Sequence, residues 1–453
     1  HDWKNVDENV GGTTLQVYDL IKELRYKYNF HVFTFEDGFY KLHSYWSNTE
    51  SIIKYPSLQE FKNYGFYNSF YKDILKNITR DFGISLIHIN HMKGHYFDIV
   101  DITDEMKIPY YFSIHDFYSV CPITNKLYIG ESYCGNPTQK NCRECLQHYQ
   151  DLEKENRLIG NWRKVWENLL SKAEMVIAPS VSAKKEILLT YKNVKIDVIE
   201  HGIDLVKQSL DLSIEEEKQK DIAFIGVMAK HKGRDIMLDL VKKGRMKDIK
   251  IHLFGSIQEG TLKNSKYFEN HGPYSRDELP KLLKKNKIKL VCIFSICPET
   301  YSYTFTEAIS AGIPVLGIDL GAIGERIKGN GLGWLIKPSA LVDEFKQKIE
   351  EIFRNPTEYL KVLEKIKNYK IKTTEEMAKD YDNLYTKMSK YYQNDVTTIR
   401  KTIRESRINF SFSFFPSYPD YSWVFNTLKW KIIDKLKIPQ RIKDFYKKIK
   451  NNF

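Results

Sequence analysis

The chain has 453 residues, 42% hydrophobic and 28% charged, enough for two core-forming domains of an ordinary α/β protein. No apolar run approaches the ~20 residues of a membrane span, and no signal-peptide pattern appears. The formal net charge of +12 is uneven: in residues 423–453 nine Lys/Arg face two Asp, a net of +7. A basic tail without a nucleic-acid-binding motif points to an anionic membrane surface rather than to nucleic acid.

The first residues, His1-Asp2-Trp3, read as the end of an element whose first strand lies upstream. From there, short apolar runs alternate with amphipathic helix patterns, the signature of parallel sheets built from βαβ units. In the first half, strands are expected at 30–35, 85–90, 109–114, 175–178 and 195–200. Helices are expected at 13–28, 57–80, 151–172 and 181–191. Ser57-Leu58-Gln59-Glu60 is a capping box for the second of these. Residues 36–56 read as additional strands, and 115–150 lack periodicity, which is long for a structureless loop.

A polar hinge is expected near 201–220. The second half then runs strand 221–226, helix 232–244, strand 249–254, helix 276–286, strand 288–294, helix 304–311, strand 314–318 and helix 320–328. Ser275-Arg276-Asp277-Glu278 caps the helix at 276. Residues 338–393 read as three helices, the last opened by Thr373-Thr374-Glu375-Glu376. The expected domains are 1–205, 206–375, a helix at 376–395 crossing back to the first domain, and a basic amphipathic tail at 396–453. Two doubly wound domains leave a cleft between the carboxyl ends of their strands, where such folds bind ligands.

Within this pattern, Glu299 sits in the loop leaving a strand and Glu307 about one turn inside the following helix. The first-turn N–H groups between them form a natural phosphate seat. Lys232 opens a helix, where a lysine opposes the dipole, so an anionic ligand suits it better than open surface. Four cysteines lie in the long loop, Cys121, Cys134, Cys142 and Cys145, in the pattern C-x12-C-x7-C-x2-C. That spacing suits a structural zinc; disulfides and packed free thiols are the alternatives. Asp380-Tyr381-Asp382 falls inside a helix pattern, where i and i+2 point apart. No catalytic metal is therefore expected. In the tail, Phe425, Leu428, Ile432 and Leu436 recur at helical spacing among lysines and Trp423 and Trp430, suiting a helix lying in a membrane interface.

These residues resemble a retaining family 4 glycosyltransferase of the GT-B fold, over roughly residues 1–395. The most specific element is Glu299-(x)7-Glu307, followed by Ala308-Ile309-Ser310-Ala311-Gly312-Ile313-Pro314-Val315. Gly11-Gly12-Thr13-Thr14 resembles the family's N-terminal glycine loop. Tyr111-Phe112-Ser113-Ile114-His115-Asp116 resembles a strand ending in the histidine that faces the donor sugar. Val176-Ile177-Ala178-Pro179-Ser180 and Val198-Ile199-Glu200-His201-Gly202-Ile203-Asp204 resemble the approach to the interdomain crossing. Gly226 with Lys232-Gly233 resembles the start of the nucleotide domain.

The resemblance implies that Glu307 bonds the ribose, Glu299 the donor sugar, and the N–H groups near Tyr303 and Thr304 the diphosphate. Lys232 would neutralise that diphosphate, His115 would contact the sugar or help align the acceptor, and Gly12 and Gly226 would let backbone approach the donor. His91 and His95, also after a strand, are candidates on the acceptor side. The implied reaction moves a sugar from a nucleoside diphosphate sugar to a glycan or lipid-linked acceptor, in polysaccharide or O-antigen assembly on the cytosolic membrane face. Two other readings are a nucleotide-sugar epimerase of similar fold and a non-catalytic binding or scaffold subunit. One position departs from the family: the arginine usually found five residues before the lysine is Val227 here.

Overall fold

A computed structural model describes residues 11–36, 38–46, 49–55, 65–149, 158–205, 220–243, 246, 249–258 and 262–388. All of them fall in the unit spanning residues 1–391. The expected capping box at 57–60, residues 206–219 of the hinge expected near 201–220, and the tail at 396–453 lie outside the described residues.

Six parallel strands form the larger sheet. In spatial order they are Phe268–Asn270, Ile251–Ile257, Asp221–Met228, Ile288–Ile293, Val315–Ile318 and Gly333–Ile336. Counted along the chain, this order is 3-2-1-4-5-6, the doubly wound arrangement of dinucleotide-binding sheets. The central strands read as unbroken apolar runs because helices cover both faces. Ile222, Phe224, Leu290 and Val315 are fully buried, at 0% exposure. The order reverses between Asp221–Met228 and Ile288–Ile293. A crevice at the carboxyl ends of these two strands is therefore the topological ligand position. It is walled by the segment Ala229–Gly233 and by the loop that carries Glu299.

The smaller sheet has four parallel strands, Ile87–Ile89, Tyr110–Ser113, Met175–Ala178 and Ile196–Val198. The strand expected at 30–35 does not join it. Phe30–Glu36 pairs antiparallel with Phe39–Trp46, which pairs with Thr49–Tyr55. The link at Gly38, with φ of +78°, is far too short for a crossover, so the hairpin is forced to be antiparallel.

Residues 374–388 are helical and pack on the first half of the chain. Met377, Tyr381 and Tyr385 share a core with Leu20, Leu24, Tyr111 and Ile177. Tyr28 donates to Asp382 Oδ1 at 2.6 Å, and Lys372 donates to Asp380 at 2.6 Å. The Asp-x-Asp pair is thus spent on two separate structural contacts. Thr373 and Glu376 bond reciprocally at 3.0 and 3.1 Å, capping this helix.

Several elements depart from expectation. The edge strands Phe268–Asn270 and Gly333–Ile336, and the helix Asp98–Met106, carry too few periodic residues to be seen in sequence. The segment 115–150 holds a small hairpin, Leu127–Tyr128 with Ser132–Tyr133, and a helix Gln139–Gln147. It is ordered because Phe117, Val120 and Leu146 enter the first core. The helix expected at 276–286 begins only at Leu279, with Pro280 in its first turn. Arg276 and Asp277 fall in the entry turn, and this frees Arg276 for another use.

Candidate active site

The loop after Ile288–Ile293 turns sharply at Ser302, whose φ of +74° is a left-handed conformation that costs a non-glycine residue about 1–3 kcal/mol. That turn aims the helix Tyr303–Ser310 into the crevice. Ser302 Oγ accepts from the Phe305 N–H at 3.4 Å, so the Tyr303 and Thr304 N–H groups ahead of it stay outside the helix ladder. The strained turn is secured from both sides. Arg326, 6% exposed, donates to the carbonyls of Tyr301 and Ser302 at 3.4 and 3.3 Å and lies over the Phe305 ring at 4.3 Å.

Glu299 and Glu307 flank this helix start in unlike settings. Glu299 Oε1 accepts from Lys232 Nζ at 2.8 Å and from Ser295 Oγ at 2.7 Å. Burial alone would push its carboxyl up. Lys232 and Ser295 outweigh that and hold it below the usual range. Burial likewise opposes the Lys232 charge, and Glu299 reverses the effect. Lys232 is brought there by Gly233, whose φ is +83° and whose added Cβ would stand 2.2 Å from the Phe294 carbonyl oxygen. Only glycine lets the turn press this closely onto the end of the strand Ile288–Ile293.

Glu307 is 5% exposed. Tyr274 OH donates to its Oε2 at 3.1 Å, and Arg276 Nε lies 3.6 Å from its Oε1. Burial pushes this carboxyl up, against the pull of Arg276. The guanidinium also covers the Tyr303 ring at 5.0 Å and reaches to 4.0 Å of Asp19 on the helix Gly12–Leu24. Burial raises the Asp19 carboxyl to about 6 despite Arg276.

The opposing wall comes from the first half of the chain. A Cβ on Gly12 would lie 3.2 Å from the Tyr303 ring, so the helix start and the glycine loop meet directly. Gly226 faces Thr304, at 3.4 Å from its would-be Cβ. The His115 carbonyl accepts from Thr300 Oγ1 at 2.7 Å, and its Nε2 is 3.2 Å from Asn90 Oδ1. Burial holds His115 well below the ordinary histidine range, so the ring is neutral. It stacks on His201 at 5.6 Å, and His201 stacks on Tyr303 at 5.6 Å. His115, His201 and Tyr303 thus form one column across the two halves.

Known proteins bear on this arrangement in two ways. The profile of the family described as Glycosyltransferase Family 4 matches residues 10–207, and that of Glycosyl transferases group 1 matches residues 209–373. Among solved structures, sucrose-phosphate synthase from Thermosynechococcus elongatus superposes with a TM-score of 0.54 at 13% identity, covering 84% of this chain and 96% of that one. The catalytic domain of starch synthase IV from Arabidopsis thaliana, bound to ADP and acarbose, gives 0.52 at 14%, covering 84% and 97%. The chain is a GT-B glycosyltransferase. No curated protein matches it by sequence.

In this glycosyltransferase the other sequence candidates scatter. His91 lies beside Asp116, with Nε2 at 2.9 Å, and stacks on Tyr118. His95 is held by Tyr71 OH at 2.8 Å among the rings of Phe33, Tyr40 and Tyr71, and burial lowers it to about 4. It serves the aromatic core. Lys230, beside the crevice, is paired with Glu131. Residues that sequence reasoning passed over include Asp19, His201, Tyr274 and Arg276. The only trace of the last was its place in an apparent capping box.

The four loop cysteines are free thiols. Ile129 N–H donates to Cys145 Sγ at 3.1 Å, and Arg163 approaches Cys142 Sγ at 3.6 Å. Burial pushes the Cys121 thiol up to about 12 and Cys134 to about 11. Among the described residues, the ligand atoms that gather within 4.8 Å of one another are those of His252, Glu269 and His271, not three of these sulfurs. Among the described residues, no helix is long and apolar enough to cross a membrane.

Proposed function

We propose that this enzyme is a retaining, family 4 transferase. It moves a sugar from a nucleoside diphosphate sugar to a glycan or lipid-linked acceptor in cell-surface polysaccharide assembly of the O-antigen type. The observation that carries the reading is the pair Glu299 and Glu307, bracketing a helix start at the switch point of a 3-2-1-4-5-6 sheet. The starch synthase domain of similar fold is bound to ADP, which supports a nucleotide ligand.

In this reading Glu307, already presented by Tyr274 and Arg276, takes the ribose hydroxyls, and Glu299 takes hydroxyls of the donor sugar. The Tyr303 and Thr304 N–H groups hold the diphosphate, and Lys232 stabilises the charge that grows on it as the glycosidic bond breaks. The acceptor hydroxyl attacks from the same face and passes its proton to the leaving phosphate. No residue of the sequence stands out as a covalent nucleophile, so the protein's share would be positioning and charge stabilisation. Neutral His115 offers the sugar a hydrogen bond without a competing charge. The chemistry uses side-chain cations rather than a metal ion. The basic sequence of residues 423–453 would hold the enzyme at an anionic membrane surface, close to lipid-linked acceptors.

A thermal-shift panel of nucleoside diphosphates and their sugars tests the donor. A ligand at 100 times its Kd stabilises by about 2.7 kcal/mol. The shift is expected for the wild type and lost in Glu307→Ala. No shift from any nucleotide would sink the reading. Turnover of the nucleotide sugar without acceptor would replace it with an epimerase.

A further inference from the structure

At the edge of the larger sheet, away from the carboxylate pair in sequence, three metal-ligating side chains share one face. His252 lies opposite Glu269 in the parallel register of Ile251–Ile257 with Phe268–Asn270. His271 follows two residues after Glu269, so it returns to the same side. One ligand atom from each falls within 4.8 Å of the other two. His252 Nδ1 is 2.9 Å from His271 Nε2.

We propose that His252, Glu269 and His271 form a zinc site, with Asp221 as the supporting carboxylate. Two imidazoles and one carboxylate are the donors that divalent zinc takes, with the fourth position left to water. The support is already built. Asp221 Oδ2 lies 2.9 Å from His252 Nε2, so this nitrogen carries the proton and Nδ1 presents its lone pair, the carboxylate–histidine arrangement of zinc proteins. The Phe254 ring stacks flat on His271 at 4.3 Å and 3°, fixing its plane. Lys250 engages Glu269 through Oε2, which leaves Oε1, 4.0 Å from His271 Nδ1, to turn toward an ion.

The ion would clip a three-residue edge strand to its neighbour. Tyr274 and Arg276, three and five residues beyond His271, are the groups that reach Glu307. The clip would therefore steady the ribose side of the donor site. The proposal stands on these ligands alone and does not depend on the identity of the donor sugar.

The test is zinc titration of the full chain after chelator stripping, with cobalt absorption as a second readout. The wild type is expected to bind one zinc per chain, with the visible bands of tetrahedral cobalt. His271→Gln, at a half-buried position that leaves the core intact, should weaken binding at least about 100-fold, and Asp221→Asn by about 10–100-fold. Cys142→Ser should bind as the wild type does. Far-UV circular dichroism shows that each variant is folded. The proposal is overturned if the stripped wild type takes up no zinc, or if His271→Gln binds it equally well. It is equally overturned if the zinc is lost only in Cys142→Ser, which would place the metal in the cysteine loop.

Discussion

Arg276 Nε stands 3.6 Å from Glu307 Oε1, and this pair changes how the donor site is read. The arginine that the family resemblance leads one to expect before Lys232 is replaced by Val227, which is 46% exposed. A guanidinium is nevertheless present, supplied from the turn before Leu279 and lying over Tyr303 at 5.0 Å. It is shared between two acids, Asp19 and Glu307.

Arg276→Ala should raise KM for the donor about tenfold, since it leaves the buried Glu307 carboxylate without its neighbouring cation. Arg276→Lys should recover little of this, because an ammonium cannot cover the Tyr303 ring while reaching both acids. Steady-state kinetics over a range of donor concentrations separate KM from kcat. An unchanged KM in both variants would remove Arg276 from the donor site.

Lys232 and Glu299 are predicted to act as a unit. Lys232→Ala leaves Glu299 buried without its cation and removes charge stabilisation from the leaving diphosphate. A fall in kcat of about 10²–10³-fold is expected. Glu299→Gln should cost a similar factor, and the double variant should be no worse than about tenfold below either single one, the non-additivity of groups that serve one step. Single-turnover rates for the four proteins check this; fully multiplicative losses would separate the two roles.

Stability should fall on acidification. Burial holds His88 and His95 down at about 4, His201 at about 3 and His115 well below its usual range. In the unfolded chain each titrates near 6.5. A depressed folded pKa means that the unfolded state binds more protons, so this stability is complete above about pH 6.5 and is lost as pH falls toward 4. Asp19 acts oppositely: raised from 3.8 to about 6, it favours the fold at low pH and loses that contribution as pH rises through 6. Glu307 and Asp98, also pushed up by burial, act in the same sense as Asp19, and the four buried histidines are expected to outweigh these three carboxyls. Each tenfold difference in proton affinity between the folded and unfolded chain is worth about 1.4 kcal/mol. Urea midpoints measured from pH 7 to 4 should drop steadily, with a shallower slope in His201→Gln. A flat profile would contradict the neutral buried histidines.

How far the chain could be read without coordinates depended on the range of the signal. The central strands and the helix Tyr303–Ser310 were legible because burial on both faces writes continuous apolar runs, and Gly312 with Pro314 punctuates the end. The edge strands Phe268–Asn270 and Gly333–Ile336 were not, since three or four residues carry no period. The segment 115–150 was unreadable for a related reason. It is held by scattered insertions, Phe117, Val120 and Leu146, into a core built elsewhere.

The sequence by itself determined the class of the protein and the address of Glu299 and Glu307. Local chemistry sufficed for that: a strand, a turn, a helix start and two acids at fixed spacing. Only the tertiary structure decided what surrounds them. Lys232, Ser295, Tyr274, Arg276 and Asp19 reach the pair from separate elements, and His115, His201 and Tyr303 stack across the two halves of the chain. Gly12 and Tyr303 are nearly three hundred residues apart and meet because two separately wound halves pack against each other. Such contacts leave no periodicity, because each is set by the packing of whole elements rather than by the conformation of neighbouring residues.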